Sequence, residues 1–148
     1  MSSSYKKQIT DYIYNVLNQK RTEFNGMAVC PFAAPELANN KLMIAMIGED
    51  DKGIKDLLEE FAASDYDSAI IALPHELGSE DTKPFQIFVN KILKRLGLKD
   101  YKNICFNPND EVSIDGFNPR AKAPYFLINI AHKKTLNDAH KSLRKLFQ

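Results

Sequence analysis

The sequence predicts a layered α/β (α+β) domain in the order αβαβαββα, a mixed, mostly parallel sheet of about four strands with helices packed on it. Three observations lead there. Residues 42–47, 68–73 and 125–131 are short apolar runs without polar alternation, as in strands covered on both faces. Stretches with apolar residues at helical spacing alternate with these runs. The early strands are joined by single helices, which implies parallel pairing through crossovers. A long link over 107–124 lets the last strand return antiparallel.

Each element has its own local reason. Ile9, Tyr12, Ile13, Val16 and Leu17 place one apolar face on a helix over residues 4–24, with Gly26 as its stop. Residues 27–40 hold two prolines and show no period, so they read as an irregular, apolar segment packed on the body. Leu-Met-Ile-Ala-Met-Ile over 42–47 is the first strand, closed by Gly48. Glu49, Asp50 and Asp51 suit a helix start, where the dipole favours acids, and Ile54, Leu57, Leu58 and Phe61 continue that helix. The second strand covers 68–73. Thr82 with Pro84 opens a helix whose stripe runs from Phe85 to Leu96 and stops at Gly97. The third strand is 103–106, stopped by Asn107-Pro108, and Asp115-Gly116 and Asn118-Pro119 mark turns in the loop after it. After the last strand, Thr135 and Asp138 resemble a capping pair for a final helix bearing Leu136, Ala139, Leu143 and Leu146.

Composition bounds the function classes. The 148 residues make one domain, and 44% apolar content is enough for a core. There is no apolar run of membrane-spanning length and no apolar signal-peptide core, so a cytoplasmic, single globular domain without membrane attachment is expected. Two cysteines, with no CxxC pair, do not form a disulfide framework. Net charge is +1 but unevenly spread: +2 over residues 1–48, −9 over 49–81 and +8 over 82–148. The basic block could meet an anion, or the two blocks could neutralise one another within or between chains. Nucleic acid is disfavoured, because the chain is not basic overall and carries no recognised binding motif.

Parallel strands also predict where a site sits, beyond their carboxyl ends. That edge collects Glu49–Asp51, His75, Asn107 and Asp110, and the loop feeding the last strand adds Arg120. Arg120, Asn107 and Asp110 are candidate ligand-binding residues, the guanidinium holding an anionic group by paired hydrogen bonds. His75 is the acid–base candidate, since its ordinary pKa of about 6.5 suits proton transfer. Cys30, in Val-Cys-Pro-Phe-Ala, is the candidate nucleophile or redox thiol if a neighbour lowers its pKa. Each has a structural alternative: a dipole-favoured acid, a turn histidine, an Arg120 paired with Asp110 or Asp115, turn asparagines, a buried thiol. Cys105, inside a strand, reads as core. His132 falls at the opposite end of the sheet from His75, and His140 at the boundary of the last helix. No spacing matches a metal site, and no cofactor is assigned. GxGxxG, phosphate-loop, HExxH and GxSxG motifs are absent.

The segment Gly-Met-Ala-Val-Cys30-Pro-Phe-Ala33 after an opening helix, then Phe106-Asn107-Pro108, then Asn118-Pro-Arg-Ala-Lys-Ala-Pro-Tyr125, resembles an uncharacterised bacterial family of small domains with a Cys-Pro-Phe-Ala segment. The resemblance implies that Cys30, Pro31, Phe32, Asn107, Pro108, Arg120 and Pro124 occupy its motif positions. This chain departs from the family twice: Asn107 stands where relatives often carry histidine, and Ala121-Lys122 is inserted after Arg120. A mechanism needing a histidine at 107 is therefore in doubt, and the family brings no established activity.

Two functions follow as expectations. One is the binding of a small anionic molecule at the strand ends, with acid–base or thiol chemistry if the protein is an enzyme. The other is a non-catalytic interaction or regulatory module, homodimeric if the acidic and basic blocks pair between chains.

Overall fold

In the computed structural model, residues 4–21, 27–28, 30, 32–74, 82–109 and 123–144 are described. Helix α1 (Ser4–Tyr12) runs into a π-helical turn at Ile13–Leu17, followed by a two-residue ladder of β1 (Lys20–Arg21) and β2 (Met27–Ala28). Then come α2 (Ala33–Ala38), β3 (Leu42–Met46), a 3₁₀ turn at Glu49–Asp51, α3 (Ile54–Ala62), β4 (Ser68–Leu73) and α4 (Thr82–Arg95). The chain continues through β5 (Tyr101–Phe106), β6 (Phe126–His132) and α5 (Lys133–Arg144).

The main sheet has four strands in the order β3-β4-β6-β5. β3 and β4 are parallel, and β6 is antiparallel to both β4 and β5. Three strands therefore point one way and the last returns, as expected. The last strand lies between β4 and β5, so the β4-α4-β5 unit is split. Burial explains the placement. Phe126 to Ala131 are all buried, whereas β5 begins with the half-buried Tyr101 and Lys102, which suit an edge.

Side-chain alternation sends the strands' two faces to two separate cores. Leu42, Ile70, Leu127 and Phe106 pack under α1, its π-turn and α2, against Tyr5, Ile9, Tyr12, Ile13 and Leu17. Met43, Ala69, Ile71, Ile128 and Cys105 pack under α3 and α4, against Leu58, Phe61, Val89 and Leu93. The result is three layers with the sheet in the middle.

Several local expectations are corrected. The first helix ends at Leu17 rather than Phe24, and Lys20–Arg21 pair as a strand instead. The segment read as irregular contains α2, whose Ala33 and Ala34 are buried. Glu49–Asp51 do not open α3. They form their own turn behind Gly48, and α3 starts after Gly53, whose N–H donates to Asp56 Oδ2 at 3.0 Å. Thr135 does not cap α5, which starts two residues earlier with the Lys134 N–H donating to His132 Nδ1 at 3.2 Å. Residues 42–46, expected to be buried on both faces, are buried only at Leu42 and Met43: β3 is an edge strand, half-exposed from Ile44 on.

Candidate functional site

The carboxyl ends of β3, β4 and β5 do lie at one end of the sheet, where β6 begins. His75, Asp110 and Arg120 fall outside the described residues. Asn107 stands at that end and is buried. Its Nδ2 donates to Thr82 Oγ1 at 3.0 Å, and its Oδ1 accepts the Asn109 N–H at 3.0 Å. It ties the end of β5 to the start of α4, which is structural work for an amide. Cys30 lies within a core, not in a strand-end loop. Its N–H donates to Leu17 O at 3.0 Å, and it is buried at 4% exposure with Tyr12, Ile13 and Ala34 in the core beneath α1 and α2. Burial pushes its thiol up to about 12; the backbone N–H groups of Ala33 and Phe32 pull the other way and Glu36 adds to the rise. A thiol so placed is protonated at neutral pH and is a poor nucleophile. Cys105 is fully buried, as expected of core. His132 ends β6 at the opposite end of the sheet, its ring edge-on to Tyr101 at 5.4 Å. Among the described residues, no three His, Cys, Asp or Glu side chains lie close enough to hold a metal ion.

A different site lies along the side of the sheet. Its two edges are treated in opposite ways. On β5, the outward N–H of Cys105 donates to Gln86 Oε1 at 2.8 Å, and that of Asn103 to Asn90 Oδ1 at 3.1 Å. Gln86 and Asn90 are four residues apart on α4, so one helix face presents both acceptors. The Asn103 amide also donates to Asn90 Oδ1 and to the Gln86 carbonyl, at 2.8 and 2.9 Å. That edge is sealed.

Among the described residues, no side chain seals β3 in this way. Ile47 N–H donates to Ala72 O at 2.9 Å, and Ser68 N–H to Lys41 O at 3.3 Å, so the odd-numbered residues face β4. In a parallel ladder the backbone of Leu42, Ile44 and Met46 then faces outward. The edge forms the floor of a groove of about 540 Å³. Tyr5 and Lys6 of α1 flank it on one side, and Leu57, Glu60, Ser64 and Tyr66 of α3 and its exit on the other.

The turn after β3 shapes one end of this groove. Gly48, Asp50 and Asp51 all have left-handed backbone, with φ of 94°, 54° and 60°. Glycine takes this freely, and aspartate tolerates it better than most residues. The turn is closed by the Gly48 N–H donating to Lys52 O at 2.7 Å. It sets Glu49 against Tyr5, whose hydroxyl donates to that carboxylate. Burial, then Glu49, then Asp50 push the phenol up to about 12. Lys52 Nζ reaches both oxygens of Glu60 at 3.1 Å and pins the turn to α3. The groove's charged lining is Glu49, Asp50 and Glu60 against Lys6 and Lys52, and the stretch 49–67 that borders it holds eight acidic and two basic groups.

Sequence reasoning missed this groove because it read Leu-Met-Ile-Ala-Met as a strand covered on both faces and gave it no place in the strand order. One signal was available. Two of the chain's four methionines, Met43 and Met46, fall in this strand, and flexible thioethers suit surfaces that accept varied partners. No protein-family model, no curated protein and no solved structure matches the chain, so nothing in these comparisons bears on the Cys-Pro-Phe-Ala resemblance.

Proposed function

We propose that the protein is a non-catalytic interaction module that captures an extended, basic segment of a partner by strand addition at the open edge of β3. The observation that carries this is the asymmetry of the sheet: the β5 edge is closed by Gln86 and Asn90, while the outward backbone of Ile44 and Met46 lines a groove. An incoming strand gains main-chain hydrogen bonds, and its alternate side chains meet the α1 and α3 walls. The acidic stretch 49–67 selects lysine or arginine in that segment over acidic residues. Helices flank the edge on both faces, which favours one inserted strand over the edge of a second sheet. Small-anion binding at the strand ends rests on His75, Asp110 and Arg120, which are not described.

Selection of random seven-residue peptides on the full chain, followed by amide exchange of the bound form, tests the proposal. The expected peptides alternate apolar and basic residues and slow the exchange of the Ile44 and Met46 amides. Ile44→Pro deletes an outward donor and trims a half-buried side chain, changes that an edge strand tolerates, and should abolish capture in a folded protein. Peptides that bind Ile44→Pro equally well, or leave both amides unprotected, would refute strand addition.

A further inference from the structure

A second cleft, of about 330 Å³, lies at the amino end of β5, bounded by Asn90, Lys94, Leu98, Lys99, Tyr101, Lys102 and Lys133. Four of these seven residues are lysines, drawn from three elements and the turn between two of them. A tight turn gathers the first three. Gly97 (φ 80°) ends α4, its N–H donates to Lys94 O at 3.1 Å and the Leu98 N–H donates to Leu93 O at 2.9 Å. This doubly bonded helix end reverses the chain directly into β5. The Lys133 N–H donates to Asp100 O at 2.7 Å and docks the start of α5 beside that turn.

Lysines outnumber acids here: Asp100, in the turn between Lys99 and Tyr101, is the one acid in the segment 94–102 that supplies three of the four lysines. Among the described residues the ion pairs are Lys7–Asp11 and Lys52–Glu60, so none of the four lysines has a carboxylate at pairing distance. Lys94 has a structural reason for its position, since cations are favoured at a helix C-terminus. Lys133 and Lys134 have the opposite: they occupy the first turn of α5, where the helix dipole is positive, with no acid in that turn. A local choice that works against stability marks a place where another constraint operates.

We propose that this cleft binds a compact polyanion carrying two or more phosphate groups, with Lys94, Lys99, Lys102 and Lys133 as its point charges. Lysine serves phosphate as a compact charge, without the planar fork of arginine. Two features favour a compact ligand over a nucleic acid strand. The cleft is short, and its aromatic residue is engaged: the Tyr101 ring stands edge-on to Phe61 at 5.7 Å and to His132 at 5.4 Å. Base stacking needs a free ring face on a continuing track. Residues 49–67, with their eight acids, would also repel a long polyanion that ran across the sheet. This site is independent of the β3 groove.

Calorimetric titration of the full chain with orthophosphate, pyrophosphate and tripolyphosphate, at about 0.15 M salt, tests the assignment. Saturable one-to-one binding that tightens along that series is expected. Lys102→Gln with Lys133→Gln should weaken tripolyphosphate binding about tenfold, while Lys20→Gln with Lys55→Gln, two lysines elsewhere, should change it less than about twofold. Absence of saturable binding would overturn the proposal, as would equal losses in the two double variants. Tighter binding of a DNA 12-mer through the same lysines would overturn the compact-ligand assignment.

Discussion

Removing the seal on β5 should be costly, and the cost can be worked from the structure. Asn90→Ala deletes the acceptor of the Asn103 N–H, and Gln86→Ala that of the Cys105 N–H. Asn103 is 3% exposed and Cys105 0%, so each N–H is left in a site with little access to water. An orphaned buried donor costs about 1–3 kcal/mol. The Asn103 amide keeps its bond to the Gln86 carbonyl in both variants, but Asn90→Ala also removes the acceptor of its other N–H, so Asn90→Ala orphans two donors and Gln86→Ala one. The double variant should lose about 3–9 kcal/mol, a large share of the roughly 5–15 kcal/mol that holds an ordinary domain. Both groups act through one strand, so strict additivity is not expected. Urea unfolding measures the loss as a fall in midpoint at constant slope; with a slope of about 1–3 kcal/mol/M, each orphaned donor moves the midpoint by roughly 1 M. Asn90→Asp and Gln86→Glu keep an acceptor oxygen and should retain most of the stability. A double alanine variant within about 0.5 kcal/mol of the native chain would refute the seal, as would acidic variants that lose as much as alanine.

Three further outcomes can be stated. Asn129 is 2% exposed and its Oδ1 meets no donor, so Asn129→Leu, beside Ile70 and Ile104, should raise stability by about 1–3 kcal/mol in thermal or urea unfolding; a loss would show that the amide serves a partner. Cys30 should react with a thiol reagent in the native state no faster than Cys105 at pH 8, and both should label rapidly in denaturant; selective native labelling of Cys30 would return it to the list of candidate nucleophiles. Burial raises the Glu36 pKa above its ordinary 4.5, against the hydrogen bond from Ser68 Oγ, so the folded state holds that proton more tightly than the unfolded chain. The resulting stability is full below pH 4.5 and is lost as pH rises through the folded pKa, so Glu36→Gln should flatten the pH dependence of unfolding over that window; an unchanged profile would contradict it.

What could be read from the sequence was whatever local pattern determines. The apolar run at 68–73 is a strand covered on both faces, and Phe85 to Leu96 with Gly97 gives a helix and its stop where expected. Pattern alone could not separate an interior strand from an edge strand. The run at 42–47 is as apolar as that at 68–73, yet the first lies at the rim and the second at the centre. Edge position depends on which strand inserts where, and the interior place fell to β6, whose positions 126–131 are all buried and all apolar but Asn129. Nor did pattern show Gln86 and Asn90 as functional parts of a sheet. On α4 they read as ordinary solvent-facing polar residues, and only the approach of Asn103 and Cys105 gives them a role. Chain direction was legible, and the three strand ends do share one end of the sheet, but Cys30 packs beneath α1 and α2 and Asn107 is engaged in joining two elements.

The separation of charge also bears on self-association. The acidic turn Glu49–Asp51 borders the β3 edge and the lysine cleft borders β5, on opposite sides of the four-stranded sheet, while α3 runs between them and brings Phe61 within 5.7 Å of the Tyr101 ring. Among the described residues no ion pair joins the two. Pairing between chains would set the β3 side of one copy against the β5 side of the next. Such a contact is head-to-tail, and the growing array does not close into a two-fold dimer unless its rotation happens to form a ring. The ion pairs would also be exposed, each worth about 0–1 kcal/mol and screened within about 8 Å at physiological salt. Sedimentation should therefore find a monomer at about 0.15 M salt and weak, concentration-dependent association without a fixed stoichiometry at about 0.01 M. A discrete dimer that persists at high salt would refute charge pairing as its cause. It would then identify a second copy, in place of a basic segment, as the occupant of the open edge.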